Sequence, residues 1–478
     1  MYTERHLRIL QWLVAIGFFM QTLDSTIVNT ALPAMASSLG ELPLRMQSVV
    51  ISYALTMAML IPASGWIADR FGIRRAFLIA IVLFVAGSLL CAGSRTLFEL
   101  NASRVVQGAG GAMLLPVGRL AILRAFPNER LLAAMSFIAI PGLLGPLIGP
   151  TLGGWLVDIA SWHWIFLINV PVGVAGCIAT FAFMPEHREP NVARFDLVGY
   201  VLLSVGMVAV SFAIDGLSEL SLRQATVLLL LVFGLASLAA YWLRATQREH
   251  PLFPTSLFRN STFSIGVIGN LFSRLGSSGM PFLLPLLLQV SLGYSPFHSG
   301  LMMLPTSVGA ILSKRLVTPV VERVGYRRTL VVNTWLVGLA MASFAFISDA
   351  EPLWLLILQL GLFGVVNSLQ FTAMNTVTLK DLRGAAASSG NSLLSMVQML
   401  AMSLGTAAAG GLLTAFIDVF GRTTRHGLPA FHATFVSVGL MTAAAAWIFW
   451  QLAADIPSAR AAAAEEPEVA ATKPTEST

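Results

Sequence analysis

Apolar runs about twenty residues long, each bounded by a short polar or basic segment, recur from Leu10 to Ala453. A run of that length crosses a ~30 Å hydrocarbon core as an α-helix. The runs are continuous and lack the alternating ~10-residue pattern of a membrane β-barrel. Hydrophobic residues make up 56% of the 478-residue chain and charged residues only 11%, against about 25% charged in an ordinary soluble protein. The mean hydropathy is +0.78. The fold class expected is an all-α polytopic membrane protein.

The hydropathy pattern predicts about fourteen spans, over residues 10–33, 47–67, 76–93, 97–119, 132–157, 163–184, 197–215, 224–243, 263–290, 298–321, 329–348, 353–376, 388–416 and 431–453. Arg5 and Arg8 precede the first run as in a signal peptide, but the run is too long for one and carries Asp24, so it is expected to be retained. Arginine and lysine alternate between the loops. One side holds Arg5, Arg8, Arg70, Arg74, Arg75, Arg119, Arg124, Arg130, Arg188, Arg194, Arg244, Arg248, Arg259, Lys314, Arg315, Arg323, Arg327, Arg328, Lys380 and Arg383. The other holds Arg45, Arg95, Arg223, Arg422 and Arg425. The positive-inside rule then puts both termini in the cytoplasm, as an even number of spans requires. The net charge of +6 is explained by these loops, with no nucleic-acid partner. The two cysteines, Cys91 and Cys177, are too few for a disulfide framework or a zinc site. The tail from Asp455 to Thr478, rich in Ala, Glu, Pro and Thr, is expected to be disordered and cytoplasmic.

Asp24 is the only charge between Leu10 and Leu32. An acid at membrane depth costs about 2.5–3.5 kcal/mol on insertion scales, and one that is kept usually faces a polar cavity or carries an ion or proton. Arg104 lies in the fourth span, which runs in the opposite direction. At 1.5 Å per residue both lie roughly 10–14 Å from the outer ends of their spans, so they can pair. Burial disfavours the charged form of Asp24 and Arg104 favours it. Such an acid can alternate between a paired charge and a neutral carboxyl. The bland alternative is a static pair that only orients two helices.

An internal repeat links the two ends of the chain. Asp69-Arg70-Phe71-Gly72-Ile73-Arg74-Arg75 after span 2 recurs as Glu322-Arg323-Val324-Gly325-Tyr326-Arg327-Arg328 after span 10. The same offset carries Gly108 onto Gly361, and Arg104 onto Ile357. The coupling residues are therefore expected in the N-terminal half. Repeated halves around a central site are a transporter signature.

Four segments carry a family resemblance: Leu23–Pro33 (LDSTIVNTALP), Gly65–Arg75 (GWIADRFGIRR), Arg104–Gly110 (RVVQGAG) and Gly145–Gly154 (GPLIGPTLGG). Trp162–Pro171 (WHWIFLINVP) adds to them. In this order and at these spans they resemble the major facilitator superfamily, specifically its fourteen-span drug:proton antiporter branch. The resemblance covers nearly the whole chain. It implies the superfamily fold with two six-helix halves, residues 1–184 and 263–454, and two additional helices with their linkers in 185–262.

The resemblance implies proton coupling by Asp24 and Arg104, driven by the proton gradient with no cofactor or metal. It implies conformational roles for Gly65, Asp69, Arg70, Gly72, Arg74 and Arg75. Gly65 is read as permitting close approach at the end of span 2, Gly72 as a tight turn, and Asp69 as facing a helix N-terminus or an arginine. Arg74 and Arg75 face the anionic inner leaflet. Gly145, Gly149 and Gly153 repeat every four residues and line one helix face, extended by Gly142, for close packing against another helix. Pro146 and Pro150 remove donors and can kink the span, and Gly154 closes the motif. Candidate cavity residues are Gln21, Asn29, Gln107, Asn270, Arg274, Gln289, Asn367 and Gln370, with Asn375 and Gln398. Arg274, mid-depth in span 9, either meets an anionic or zwitterionic substrate group or pairs with a polar residue between helices. Lys314 and Arg315 are expected to snorkel toward the cytoplasm.

The leading functional reading is efflux of hydrophobic or amphipathic organic compounds across the bacterial inner membrane, by a monomer exchanging a small molecule for protons. The alternative in the same fold is a carrier for a narrow metabolite or organic anion. A membrane enzyme or sensor fits less well. No loop carries a catalytic constellation, and no phosphate-binding Gly-Lys-Ser/Thr loop is present to drive a pump.

Overall fold

The computed structural model describes residues 4–189, 192, 194–218, 224–348, 352–420 and 427–453. The tail from Asp455, and Arg223, Arg422 and Arg425, lie outside the described residues. Among the described residues the only regular secondary structure is helical, with no strand.

The N-terminal helices are α1 (Glu4–Leu39), α2 (Gln47–Phe71), α3 (Ile73–Gly93), α4 (Leu97–Ala125) and α5 (Asn128–Ile159), then a broken sixth span, α6 (Trp164–Leu167) and α7 (Asn169–Phe183). An additional pair follows, α8 (Leu197–Ser218) and α9 (Gln224–Gln247). The C-terminal helices begin with α10 (Ser261–Ser277), continued by α11 (Met280–Leu286) and a π turn over Leu287–Ser291. They go on through α12 (Pro296–Met302), α13 (Leu304–Val324), α14 (Tyr326–Ser343), α15 (Leu353–Leu379), α16 (Gly384–Phe420), α17 (Leu428–Ala444) and α18 (Ala446–Trp450).

Twelve of these helical segments are long and apolar enough to cross a membrane. The expected count was fourteen. The first and tenth expected spans fold as α1 and α13 but are not among the twelve. Gln21, Asp24 and Asn29 lower the apolarity of α1, and Lys314 and Arg315 that of α13.

One packing scheme serves both ends of the chain. α1 packs on α5 as α10 packs on α16, and α2 packs on α4 as α13 packs on α15. The repeated basic loops share a backbone turn, with Gly72 at φ 96°, ψ 145° and Gly325 at φ 84°, ψ 158°. Only glycine adopts this conformation without strain.

The N- and C-terminal helices meet along a seam at one end of the bundle. An apolar cluster joins Ile27, Val28, Ala31 and Leu32 of α1 to Met280, Leu283, Leu284 and Leu287. Every polar contact recorded between the two sets lies at this end, among the described residues. Gln289 Nε2 donates to the Thr30 carbonyl at 2.9 Å, Thr151 Oγ1 to the Gly300 carbonyl at 3.1 Å, and the Phe297 amide to Asp158 at 3.1 Å. Pro150 has no amide hydrogen to give to the carbonyl four residues back, that of Pro146. That carbonyl accepts instead from Ser307 Oγ at 3.0 Å. The prolines of α5 thus supply an acceptor to the seam.

Gly154 sets the spacing. A Cβ there would stand 2.1 Å from the Pro296 carbonyl oxygen and 2.6 Å from its carbon, both backbone atoms. Gly154→Ala is therefore expected to part the seam. Spin labels at the exposed Ile159 and at His298 should report a longer distance in the variant. An unchanged distance distribution would count against this role for Gly154.

A buried ion pair as the candidate coupling site

Five spans converge on Asp24, which is fully buried. Arg104 Nη1 donates to Asp24 Oδ2 at 2.7 Å and to Gln107 Oε1 at 2.6 Å. Gln107 Nε2 donates to Asp24 Oδ1 at 2.7 Å and to Ser88 Oγ at 2.9 Å. Asn169 Nδ2 donates to Asp24 Oδ1 at 3.1 Å. The Arg104 guanidinium lies over the Tyr53 ring, 4.0 Å from its centroid, and its Nε faces the Val49 carbonyl at 3.4 Å. Both carboxylate oxygens and the guanidinium are thus satisfied by charge-assisted hydrogen bonds and a π face, which is what a charge pair without water requires.

The motif around Arg104 builds this cage in two ways. Arg104 and Gln107 lie one turn apart and supply its side chains. The glycines after them, Gly108 and Gly110, bring the helices close. A Cβ at Gly108 would stand 2.9 Å from the Tyr53 carbonyl oxygen, and one at Gly110 2.5 Å from that of Ala80. The contact with α2 places the Tyr53 ring under the guanidinium.

The glycine stripe of α5 packs on α1, the helix that carries Asp24. Gly142 faces Phe18, Gly145 faces Thr22, Gly149 faces Thr26, and Gly153 faces Ile27 and Thr30. Cβ atoms at Gly145 and Gly149 would stand 2.3 and 2.2 Å from the two threonine oxygens. The stripe therefore fixes α1 along three turns, around the acid.

The loop between α2 and α3 is knotted to other N-terminal elements. Arg124 Nη2 pairs with Asp69 Oδ1 at 2.6 Å and with Glu189 at 3.5 Å. Asp69 thus takes the arginine partner of the two expected. Arg74 Nε donates to the Met184 carbonyl at 2.7 Å, so Arg74 does not simply face lipid headgroups. A Cβ at Gly72 would meet the Glu186 carboxylate. Gly65 is a correction: a Cβ there meets nothing within 4 Å, so it permits no close approach in this conformation. No polar contact is recorded for Arg70 or Arg75.

Several expected cavity residues are committed elsewhere. Gln107 is a wall of the charge cage. Gln370 is buried, donating to Thr334 Oγ1 at 2.7 Å and accepting from Asn333 at 2.9 Å. Asn270 is buried and donates to the Gly266 carbonyl at 3.0 Å. Gln289 bridges the seam. Gln398 Nε2 donates to Asn375 Oδ1 at 2.8 Å. Gln21 is half-buried and Asn29 buried, and their side-chain oxygens have no partner. Asn367 is half-buried. Lys314 is exposed and donates to Thr372 Oγ1 at 2.8 Å. Asn169, Ser88 and Tyr53 complete the cage and were not anticipated as site residues. Asn169 was within reach of the sequence, as the one amide in the apolar run from Trp164 to Phe183.

Two sets of helices built on one packing scheme, with a charge pair inside one of them, define a multi-pass membrane carrier. The sequence profile of the Major Facilitator Superfamily matches residues 14–406 and 266–476. The chain belongs to that superfamily, and is a transporter rather than an enzyme. It is 51% identical over 453 residues to the "Putative multidrug resistance protein MdtD" of Serratia proteamaculans (strain 568), covering 94% of each chain. It is 51% identical over 441 residues to the protein of that name from Enterobacter sp. (strain 638), covering 92% of this chain and 93% of the other. Among solved structures, a POT family transporter in complex with 5-aminolevulinic acid has a TM-score of 0.69 at 18% identity, over 93% of this chain and 95% of that one. The human organic anion transporter MFSD10 has a TM-score of 0.58 at 16% identity, over 93% and 99%. The shared fold is what these two structures establish.

Proposed function

We propose that this protein exports hydrophobic or amphipathic organic compounds across a bacterial inner membrane in exchange for protons, by alternating access. The names of its relatives support drug efflux. The arginine-rich loops support cytoplasmic termini, so that the seam seals the periplasmic face and the cavity opens inward. All fourteen helical spans cross the membrane in this reading. Residues 1–184 and 263–454 rock against each other as two bodies, and 185–262 rides beside them. One chain supplies both bodies, so the unit is a monomer. The energy source is the proton gradient, with no cofactor.

The observation that carries the coupling is the position of Asp24. It is sealed among donors and lies one turn below Ile27 and Val28 of the seam. Parting the seam brings periplasmic water to within a turn of the acid. A proton taken up there neutralises Asp24 and releases Arg104 and Gln107. Their release loosens α4 from α1, and closure of the seam carries the proton inward. The stripe on α5 and the knot at Asp69 hold the N-terminal body rigid while this happens.

The test is a screen in proteoliposomes loaded with a pH-sensitive dye, under an imposed pH gradient. Substrate addition should move protons, in proportion to substrate moved. A compound that is transported without proton movement would remove the antiport mechanism, and transport of no compound would remove the export reading.

A further inference from the structure

The buried acid of the N-terminal helices has a cationic partner, whereas two cations deep in the C-terminal helices have no acidic partner among the described residues. The Arg274 guanidinium of α10 lies 4.9 Å from the centroid of the Phe371 ring of α15. Lys314 of α13 reaches the same ring, with Nζ 6.0 Å from its centroid. Lys314 Nζ also donates to the neighbouring Thr372 Oγ1. Three helices thus bring two cations to one aromatic ring. No acidic side chain is recorded in an ion pair with Arg274 or Lys314 among the described residues. Arg274 Nε is buried and has no hydrogen-bond partner.

Both cations stand well inside the bundle. Arg274 is thirteen residues from the start of α10, and Lys314 ten residues from the end of α13, or about 20 and 15 Å along the helices. Cations at that depth normally pair or face a water-filled path. Lys314 is exposed and Phe371 is 37% exposed, so the cluster opens to a space rather than closing on itself. The offset that carries Gly72 onto Gly325 also carries Arg119 of α4 onto Thr372, so the equivalent place in the N-terminal helices is cationic too.

We infer that Arg274, Lys314 and Phe371 form an anion subsite of the transport cavity, taking an organic anion that carries an aromatic or otherwise apolar body. The anion supplies the charge that the protein withholds. Arg274 offers its free Nε–H, Lys314 a mobile ammonium, and Phe371 a face for the apolar body. This rests on the reading of the chain as an exporter of amphipathic compounds, and it narrows that class to anions at this site.

The test is equilibrium binding in detergent, with no membrane gradient, so that a failure of proton coupling cannot mask it. The probes are 1-naphthoate and its uncharged amide, which share one ring body. The expected result is that the carboxylate binds at least tenfold tighter than the amide. Arg274→Gln combined with Lys314→Gln should abolish that preference. Equal binding of the two probes by the unmodified protein, or no binding of either, would overturn the proposal. So would a double variant that keeps the preference. A variant that no longer elutes as a monodisperse species is replaced by Lys314→Gln alone. Lys314 is exposed, and its loss should still weaken the carboxylate selectively by severalfold; an unaltered ratio overturns the proposal.

Discussion

Proteoliposomes of Asp24→Asn should show no proton movement on substrate addition, where the unmodified protein shows it. The amide keeps an oxygen within reach of Arg104 Nη1, 2.7 Å away in the parent, so one hydrogen bond of the pair can survive the loss of its charge. What it removes is the one carboxyl of the cage, and an amide in its place cannot carry a proton. The same site holds Tyr53 and Cys91, both buried, the thiol donating to Gln107 Oε1 at 3.6 Å, and Arg104, which stays protonated at any physiological pH. Binding measured in detergent should persist in the variant, which separates coupling from recognition. Substrate-evoked proton flux of ordinary size in Asp24→Asn would move the coupling group elsewhere.

The second large effect is on stability, and it is asymmetric. Removing one member of a buried pair leaves an uncompensated charge and costs about 3–5 kcal/mol. Asp24→Asn leaves a guanidinium that cannot shed its proton. Arg104→Met leaves a carboxylate that can bind one and become neutral. Asp24→Asn should therefore destabilise more than Arg104→Met, and the double variant should recover most of the loss, because no charge then remains in the cage. Thermal unfolding of the purified variants in one detergent reads all three. Losses that simply add in the double variant would mean that the two side chains are not coupled, despite their 2.7 Å contact.

The fold was legible because membrane insertion writes it in long apolar runs, and the repeat because Gly72 and Gly325 need a conformation open only to glycine. The pairing of Asp24 with Arg104 followed from helical rise, since two charges at equal depth in neighbouring spans have few alternatives. Other features carried no comparable signal. A four-residue glycine period marks a face of α5 but not the helix it will meet, and the partner proved to be α1. Ser88 and Tyr53 are ordinary residues in apolar spans, so nothing in the chain set them apart from packing. Gln107 and Gln370 looked like cavity residues because polarity in a span marks either a cavity or an internal network, and only coordinates distinguish the two. Which end of the bundle is sealed depends on contacts between distant spans, and no local pattern records it.

The additional pair of helices changes the symmetry of what surrounds the seam. Leu203 and Met207 of α8 pack in one apolar cluster with Leu55 and Ala58 of α2 and Met396 of α16, and Ser211 bonds to Ser403 at 2.9 Å. The line where α2 meets α16 therefore has a cover on its lipid side. The opposite line, where α5 meets α12 and α13, has no such cover among the described residues. Of the two lines along which the halves meet, the extra helices brace one from outside and leave the other to its own contacts.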